Sequence, residues 1–310
     1  MVDFTHYGLY FTAQQAQAAH TFAKRRPLDT AWAGLDADTP TDPLAATVVD
    51  ALRYRLRADD GAAQRALHHL NTMPPLDVDT PLLTTIENTL AMAQAYELLR
   101  AYPGYAPHQQ ALWREGFMEQ VAILNERDSY DLLHLERIWL ALLNLVAGIV
   151  LERPPIFQQG AAVYEQVVTH DIRPQGYIPQ AVEDSRGGSM ARFVLSVKAL
   201  TLMAAAAQTV GVDLWGMQSR GISVVTAGLY PLYYYFYPEK WQWDEGITLE
   251  DSAALFGQHG GYLELVNQQL GRRIRAVDLV LKQIRPVLDP YGGGALTLSH
   301  GVPQRRGLFG

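Results

Sequence analysis

The chain contains no cysteine, which removes disulfides, Cys-ligated zinc, iron–sulfur clusters and a thiol nucleophile in one step. Positive charge is also scarce. Lys and Arg number 25 against 32 Asp and Glu, for a formal net charge of −7, and the pI is near 5.7. With no basic domain or stripe, a nucleic-acid partner is not expected, and any anionic ligand would have to be met by local arginines. The start, MVDFTHYGLYF, lacks the basic residues and apolar run of a secretory leader. No stretch offers the roughly eighteen uninterrupted apolar residues of a membrane span. These absences predict a soluble protein without a membrane span, cytoplasmic unless a leader has been removed and otherwise periplasmic or secreted. Alternating strand patterns, short repeats and low-complexity linkers are nearly absent as well.

What is present is helical periodicity. With 310 residues and 48% hydrophobic content the chain can bury a large core, read here as one domain over 1–310. Helices are predicted at about 12–26, 43–57, from Gly61 to near Met73, and at 80–100, 107–125, 132–151, 154–170, 189–211, 212–229 and 261–284, mostly bounded by Pro or Gly. The 132–151 segment is apolar almost all round, as expected of an inner-layer helix with neighbours on both sides. Eleven or twelve helices in successive hairpins predict an all-α fold, an (α/α) toroid or incomplete barrel of about five to six hairpins around a cleft. A right-handed solenoid of helix pairs is the alternative.

The most informative stretch runs from Gly176 to Leu214. A polar loop with Tyr177, Glu183 and Arg186 breaks at Gly187-Gly188 and leads into a long buried helix, a usual way to present functional side chains on a rigid scaffold. On the 132–151 helix the polar exceptions are His134, Glu136, Arg137 and Trp139. His134 and Arg137 share a face, and Glu136 lies well round the helix from both. The bland reading is a charged helix end, with Trp139 in the core and Glu183 paired to Arg186 across the turn. The run Tyr233 to Tyr237, followed by Trp241 and Trp243, is either core packing or a set of platforms for sugar rings, since these side chains are apolar in body and polar at the tip. His68-His69 point to different faces and make a poor metal site. The glycines at 292–294 follow a helix, with no strand and no GK[ST] around them, so they form no phosphate loop.

Four segments, RPQGYIPQAVEDSR, SVKALTLMAAAAQTVGVDLWG, YPEKWQW and IRPVLDPYGGGALTLSHG, resemble in order and spacing the motifs of the alginate lyase (poly-mannuronate lyase) family, over about Asp131 to Gly301. The resemblance implies β-elimination in an acidic polysaccharide, in which a uronate C5 proton is removed and the 4-linked sugar leaves. Such a site needs a cation or amide at the carboxylate, a base near C5 and an acid near the glycosidic oxygen. It implies no metal and no other cofactor.

The family's Asn-Asn-His before a Trp falls, with Trp139 as anchor, on His134-Leu135-Glu136, so Glu136 occupies the histidine position. In the second motif Arg186 matches the first arginine and Glu183 the glutamate before it. Gly188 replaces the second arginine, Arg192 takes one tyrosine position, and Leu195 takes the tyrosine credited with proton transfer. Three readings follow. The first is a divergent lyase on a uronate-containing polysaccharide, with His134 or a nearby tyrosine as base, Arg137, Arg186 and Arg192 at the carboxylate, and Glu136 as acid or orienter. The second is a glycoside hydrolase using Glu136 and Glu183 as a carboxylate pair. The third is a non-catalytic protein that binds or helps assemble an anionic polysaccharide. In all three the partner is an anionic polysaccharide or oligosaccharide, with Tyr177, Trp139, Trp241, Trp243 and Arg192 as candidate contacts.

Overall fold

Capping residues and prolines set the helix starts. Thr12, Asp42 and Thr248 each accept a hydrogen bond from a backbone N–H of the first turn they precede, and Pro43, Pro107 and Pro154 stand at the first helical position, where a missing N–H costs nothing. The computed structural model describes residues 4, 6–37, 39–72, 80–127, 132–183 and 187–304. The helices are α1 (Ala13–Thr21), α2 (Leu28–Leu35), α3 (Pro43–Arg57), α4 (Asp60–Thr72), α5 (Leu82–Leu99), α6 (Pro107–Glu126), α7 (His134–Val150) and α8 (Pro154–Gln166). They continue as α9 (Pro179–Val182), α10 (Ser189–Thr209), α11 (Val224–Leu229), α12 (Leu232–Phe236), α13 (Leu249–His259), α14 (Tyr262–Gln269), α15 (Arg275–Ile284) and α16 (Leu296–His300). A π-helical turn, Val167–Asp171, extends α8. Among the described residues there is no β-strand, only two isolated bridges.

The packing order defines an (α/α) toroid. Helix α3 packs on α5, α5 on α7, α7 on α10 and α10 on α14, so these five form the inner layer, while α4, α6 and α8 return along the outside of α3, α5 and α7. Helix α16 joins α14 to α1 and α2. The apolar core runs without a break from Leu9 to Leu298. Helices α7 and α8 touch at two glycines. A Cβ on Gly148 would lie 2.3 Å from the Phe157 nitrogen, and one on Gly160 would lie 2.4 Å from the Ala141 carbonyl oxygen.

Helix α10 is long and apolar enough by length and composition to cross a membrane, but 89% of that window is buried inside the fold. It is the long buried helix that the sequence pattern predicts.

Two expected helices are corrected. Instead of one helix over 212–229, the chain makes a turn in which Asp213 Oδ1 accepts from the Gly216 N–H at 2.8 Å, then a tight Ser219–Ile222 bridge, and only then α11. Arg220 and Gly221 at that bridge have φ of +53° and +77°, which an α-helix does not allow. The helix expected over 261–284 is broken into α14 and α15 where Leu270 turns extended ahead of Gly271. Apolar spacing resumes beyond the break, which is why the sequence pattern ran through it.

Candidate functional site

Polar side chains on and around the inner helices collect in two groups. The first surrounds the start of α7. His134, its first residue, places Nε2 3.2 Å from Asp171 Oδ2 at the end of the π-turn, and Gln180 of α9 donates to Asp171 Oδ1 at 3.4 Å. An ionised carboxylate only accepts, so the Asp171 contact puts the imidazole hydrogen on Nε2 and leaves the Nδ1 lone pair. Nδ1 is buried and has no hydrogen-bond partner. Arg192, in the first turn of α10, is buried and donates from Nε to the Ala181 carbonyl at 3.2 Å. Arg137 is exposed on the surface of α7, and Glu183 is exposed just after α9. Arg186 lies outside the described residues.

Several expected site residues turn out to be structural. Glu136 accepts from the Leu133 N–H at 2.9 Å and caps α7, so its carboxylate is committed to the helix end. Trp139 is fully buried and donates from Nε1 to the Leu195 carbonyl at 3.2 Å, which joins α7 to α10 and leaves no face for a sugar. Trp241 is also core. Its indole N–H donates to Ser189 Oγ at 2.6 Å, and Asp244 accepts from Ser189 N, Ser189 Oγ and Met190 N, so this loop caps α10. Tyr177 and Trp243 are half-buried, with ring centroids 5.1 Å apart. Of the tyrosine run, Tyr233 and Tyr237 are exposed.

Sequence patterning missed the second group. Lys198, in the third turn of α10, is 3% exposed and holds its Nζ 2.7 Å from Asp289 Oδ2 and 6.0 Å from the Trp139 ring. Asp289 and Tyr291 come from the loop before α16, and the Tyr291 hydroxyl donates to Asp42, the cap of α3. The charges of Lys198 and Asp289 also act on Glu87, in the second turn of α5, and on His259, at the end of α13. Glu87 is half-buried, and burial pushes its carboxyl up despite Lys198. Burial, reinforced by the Lys198 charge, holds His259 down to about 4, so the ring is neutral at pH 7 and its buried Nδ1 is unpartnered. Tyr10 is 2% exposed, and burial, with the Asp289 charge, pushes its hydroxyl up. The available sequence signal was Lys198 itself, one ammonium in the middle of an apolar helix. Among the described residues no group of three or more His, Asp and Glu could hold a metal ion.

A ring of inner helices with polar groups gathered at one end is the architecture of the helical-toroid polysaccharide-acting proteins, and the comparisons narrow it further. The alginate lyase family model matches residues 45–241, and the chain belongs to that family. The match begins well before the Asp131 at which the sequence motifs start and ends before the Ile284–Gly301 segment. Among solved structures, alginate lyase A1-III complexed with a tetrasaccharide superposes with a TM-score of 0.72 at 16% identity, covering 85% of this chain and 76% of that one. Alginate lyase A1-III from Sphingomonas species A1 gives 0.72 at 16% identity over 84% and 76%. An alginate lyase from Bacteroides ovatus gives 0.70 at 11% identity, covering 96% of this chain and 99% of that one. At these identities the likeness establishes the fold. No curated protein sequence matches the chain.

Proposed function

We propose that the protein is a polysaccharide lyase that cleaves a uronate-containing anionic polysaccharide by β-elimination, and that residues 1–310 act as one domain. The observation that carries this reading is the His134–Asp171 pair. A histidine with one nitrogen bound to a carboxylate and the other uncommitted is built to take up a proton, and here it begins an inner helix of an alginate lyase family member. In the proposed reaction His134 Nδ1 removes the C5 proton, the electron pair forms the C4–C5 double bond, and the C4–O bond breaks with the departing sugar oxygen taking a proton from solvent water. The positive ends of the α7 and α10 dipoles, with Arg192 and Arg137 nearby, favour the uronate carboxylate and the charge that develops at C5. Tyr177 and Trp243 supply apolar faces for the neighbouring sugar rings. Glu136 is a cap in this reading and takes no part in proton transfer. That removes the main support for a Glu136–Glu183 hydrolase.

The test is an incubation with mannuronan, guluronan, glucuronan and mixed bacterial exopolysaccharides, following near-ultraviolet absorbance and reducing ends together. β-Elimination generates a 4,5-unsaturated uronate chromophore with each new reducing end. His134→Gln should lower the rate by roughly 10²–10⁴-fold, the range for a positioned base. Reducing ends without absorbance would replace the lyase with a hydrolase, and silence in both channels with retained binding would leave a non-catalytic glycan binder.

A further inference from the structure

We propose that Asp171 and Gln180 are positioning residues for the reaction: Asp171 holds His134 in the tautomer that leaves Nδ1 able to accept a proton, and Gln180 of α9 holds Asp171. This deepens the lyase reading and rests on it, since a positioned base has a use only where a proton is removed.

The contacts form a chain through well-seated elements. The π-helical turn that ends α8 closes with the Ile172 N–H donating to the Val167 carbonyl at 3.0 Å, and its last residue is Asp171. Such wide turns are rare and recur at functional sites. Here the turn sets a side chain that is 10% exposed against His134 at the start of α7. Asp171 Oδ2 lies 3.2 Å from His134 Nε2, and Oδ1 accepts from Gln180 Nε2 at 3.4 Å, so the two oxygens are engaged from different elements. The connection from the turn to α9 is short and closed. The Arg173 N–H donates to the Tyr177 carbonyl and the Gly176 N–H to the Arg173 carbonyl, each at 2.8 Å. A Cβ on Gly176 would lie 2.9 Å from the Thr226 carbonyl oxygen, so this loop sits tightly on α11.

Helix α9 is anchored by Ile178, Ala181 and Val182, which are buried, while Gln180 is the exposed residue of its four. Next to Gln180, the Ala181 carbonyl accepts from Arg192 Nε at 3.2 Å. One rigid turn thus touches the support of the base on α7 and the guanidinium on α10, as a site held by its surroundings requires. A histidine that served only to tie α7 to α8 would be better placed with both ring nitrogens paired. His134 Nδ1 has no hydrogen-bond partner. When Nδ1 takes a proton the ring becomes a cation, and a carboxylate fixed at Nε2 both stabilises that charge and keeps the ring from turning. Gln180, bonded to the other oxygen, keeps the carboxylate itself from turning.

The experiment is long-range proton–nitrogen NMR of the full chain labelled with nitrogen-15 histidine, at about pH 8, where an ordinary imidazole is neutral. The His134 ring is assigned by its absence in His134→Gln, and kcat and KM come from the chromophore assay. The wild type should carry the His134 hydrogen on Nε2. Asp171→Asn, whose amide can donate to Nε2, should move it to Nδ1 and lower kcat roughly 10²–10⁴-fold. Gln180→Glu keeps the size of the side chain but sets a second carboxylate against Asp171. It should populate both tautomers and lower kcat about tenfold, with KM within about twofold. Gln180→Met, which removes the donor without adding charge, should fall between the wild type and Gln180→Glu. Position 180 is exposed, so these two variants carry the test should Asp171→Asn fail to fold. The proposal is overturned if the wild-type ring carries its hydrogen on Nδ1 or on both nitrogens. It is overturned equally if Gln180→Glu keeps the wild-type tautomer, or if, in an active lyase, it changes the tautomer without loss of kcat. Cleavage with a tautomer that ignores both positions removes the positioning role and keeps the lyase, whereas no chromophore on any polymer removes the lyase even when the ring responds as described.

Discussion

Lowering the pH from 7 to 4.5 should remove several kcal/mol of folding stability, with two histidines responsible for most of the loss. His300 is buried in α16, its Nδ1 2.8 Å from Ser299 Oγ, and burial brings it from 6.5 to about 3. His259 is brought from 6.5 to about 4, first by burial and then by Lys198. In each case the unfolded chain binds a proton at a pH where the folded chain refuses it. Stability therefore falls as pH drops below 6.5, and for each residue the fall continues until the folded ring itself protonates.

At about 1.4 kcal/mol per pH unit, the two units between 6.5 and 4.5 cost about 2.7 kcal/mol for fully buried His300, and about 2 kcal/mol for His259 once its partial exposure is discounted. Glu87 acts in the opposite sense. Its carboxyl is raised in the fold, so its contribution favours the folded state at low pH and is lost as pH rises through the folded value, which offsets part of the histidines' combined cost of about 4.7 kcal/mol. That is a large part of an ordinary folding free energy of about 5–15 kcal/mol. Urea unfolding followed by helical circular dichroism at pH 7 and 4.5 measures it, and His300→Gln and His259→Gln should each flatten the dependence by its own share. A wild-type loss below about 1 kcal/mol, or a His300→Gln variant that keeps the full dependence, would refute the reasoning.

Two stability predictions concern the scaffold around the site. Gly148→Ala gains about 1 kcal/mol of helix propensity, but its Cβ would meet the backbone of Phe157, so a net destabilisation of about 1–3 kcal/mol is expected in denaturant titration. A gain in stability would show that the α7–α8 crossing is looser than described. Asp244→Ala removes the acceptor for Ser189 N, Ser189 Oγ and Met190 N, and should cost about 1–2 kcal/mol. Hydrogen exchange should then speed up at the first turn of α10, and uniform exchange along that helix would contradict the assigned cap.

Much of the scaffold was legible in the chain because helix limits are local. Expected limits of 43–57, 107–125 and 189–211 compare with Pro43–Arg57, Pro107–Glu126 and Ser189–Thr209, since proline, caps and apolar spacing act within a few residues. The inner-layer placement of α7 was readable for the same reason, as a helix apolar all round needs neighbours on both sides. The motifs between Arg173 and Gly216 pointed to the family on similar terms. Sequence position could not tell whether Glu136 ends in a cleft or on the Leu133 N–H, or whether Trp139 and Trp241 stack on sugars or bond to Leu195 and Ser189. Nor could it assemble Tyr10, Glu87, Lys198, His259 and Asp289. Those residues are far apart along the chain and belong to elements with no shared pattern. Whether such residues come near one another depends on how the inner helices close into a ring, and ring closure is decided by how α3, α5, α7, α10 and α14 pack on one another rather than by any one of them alone.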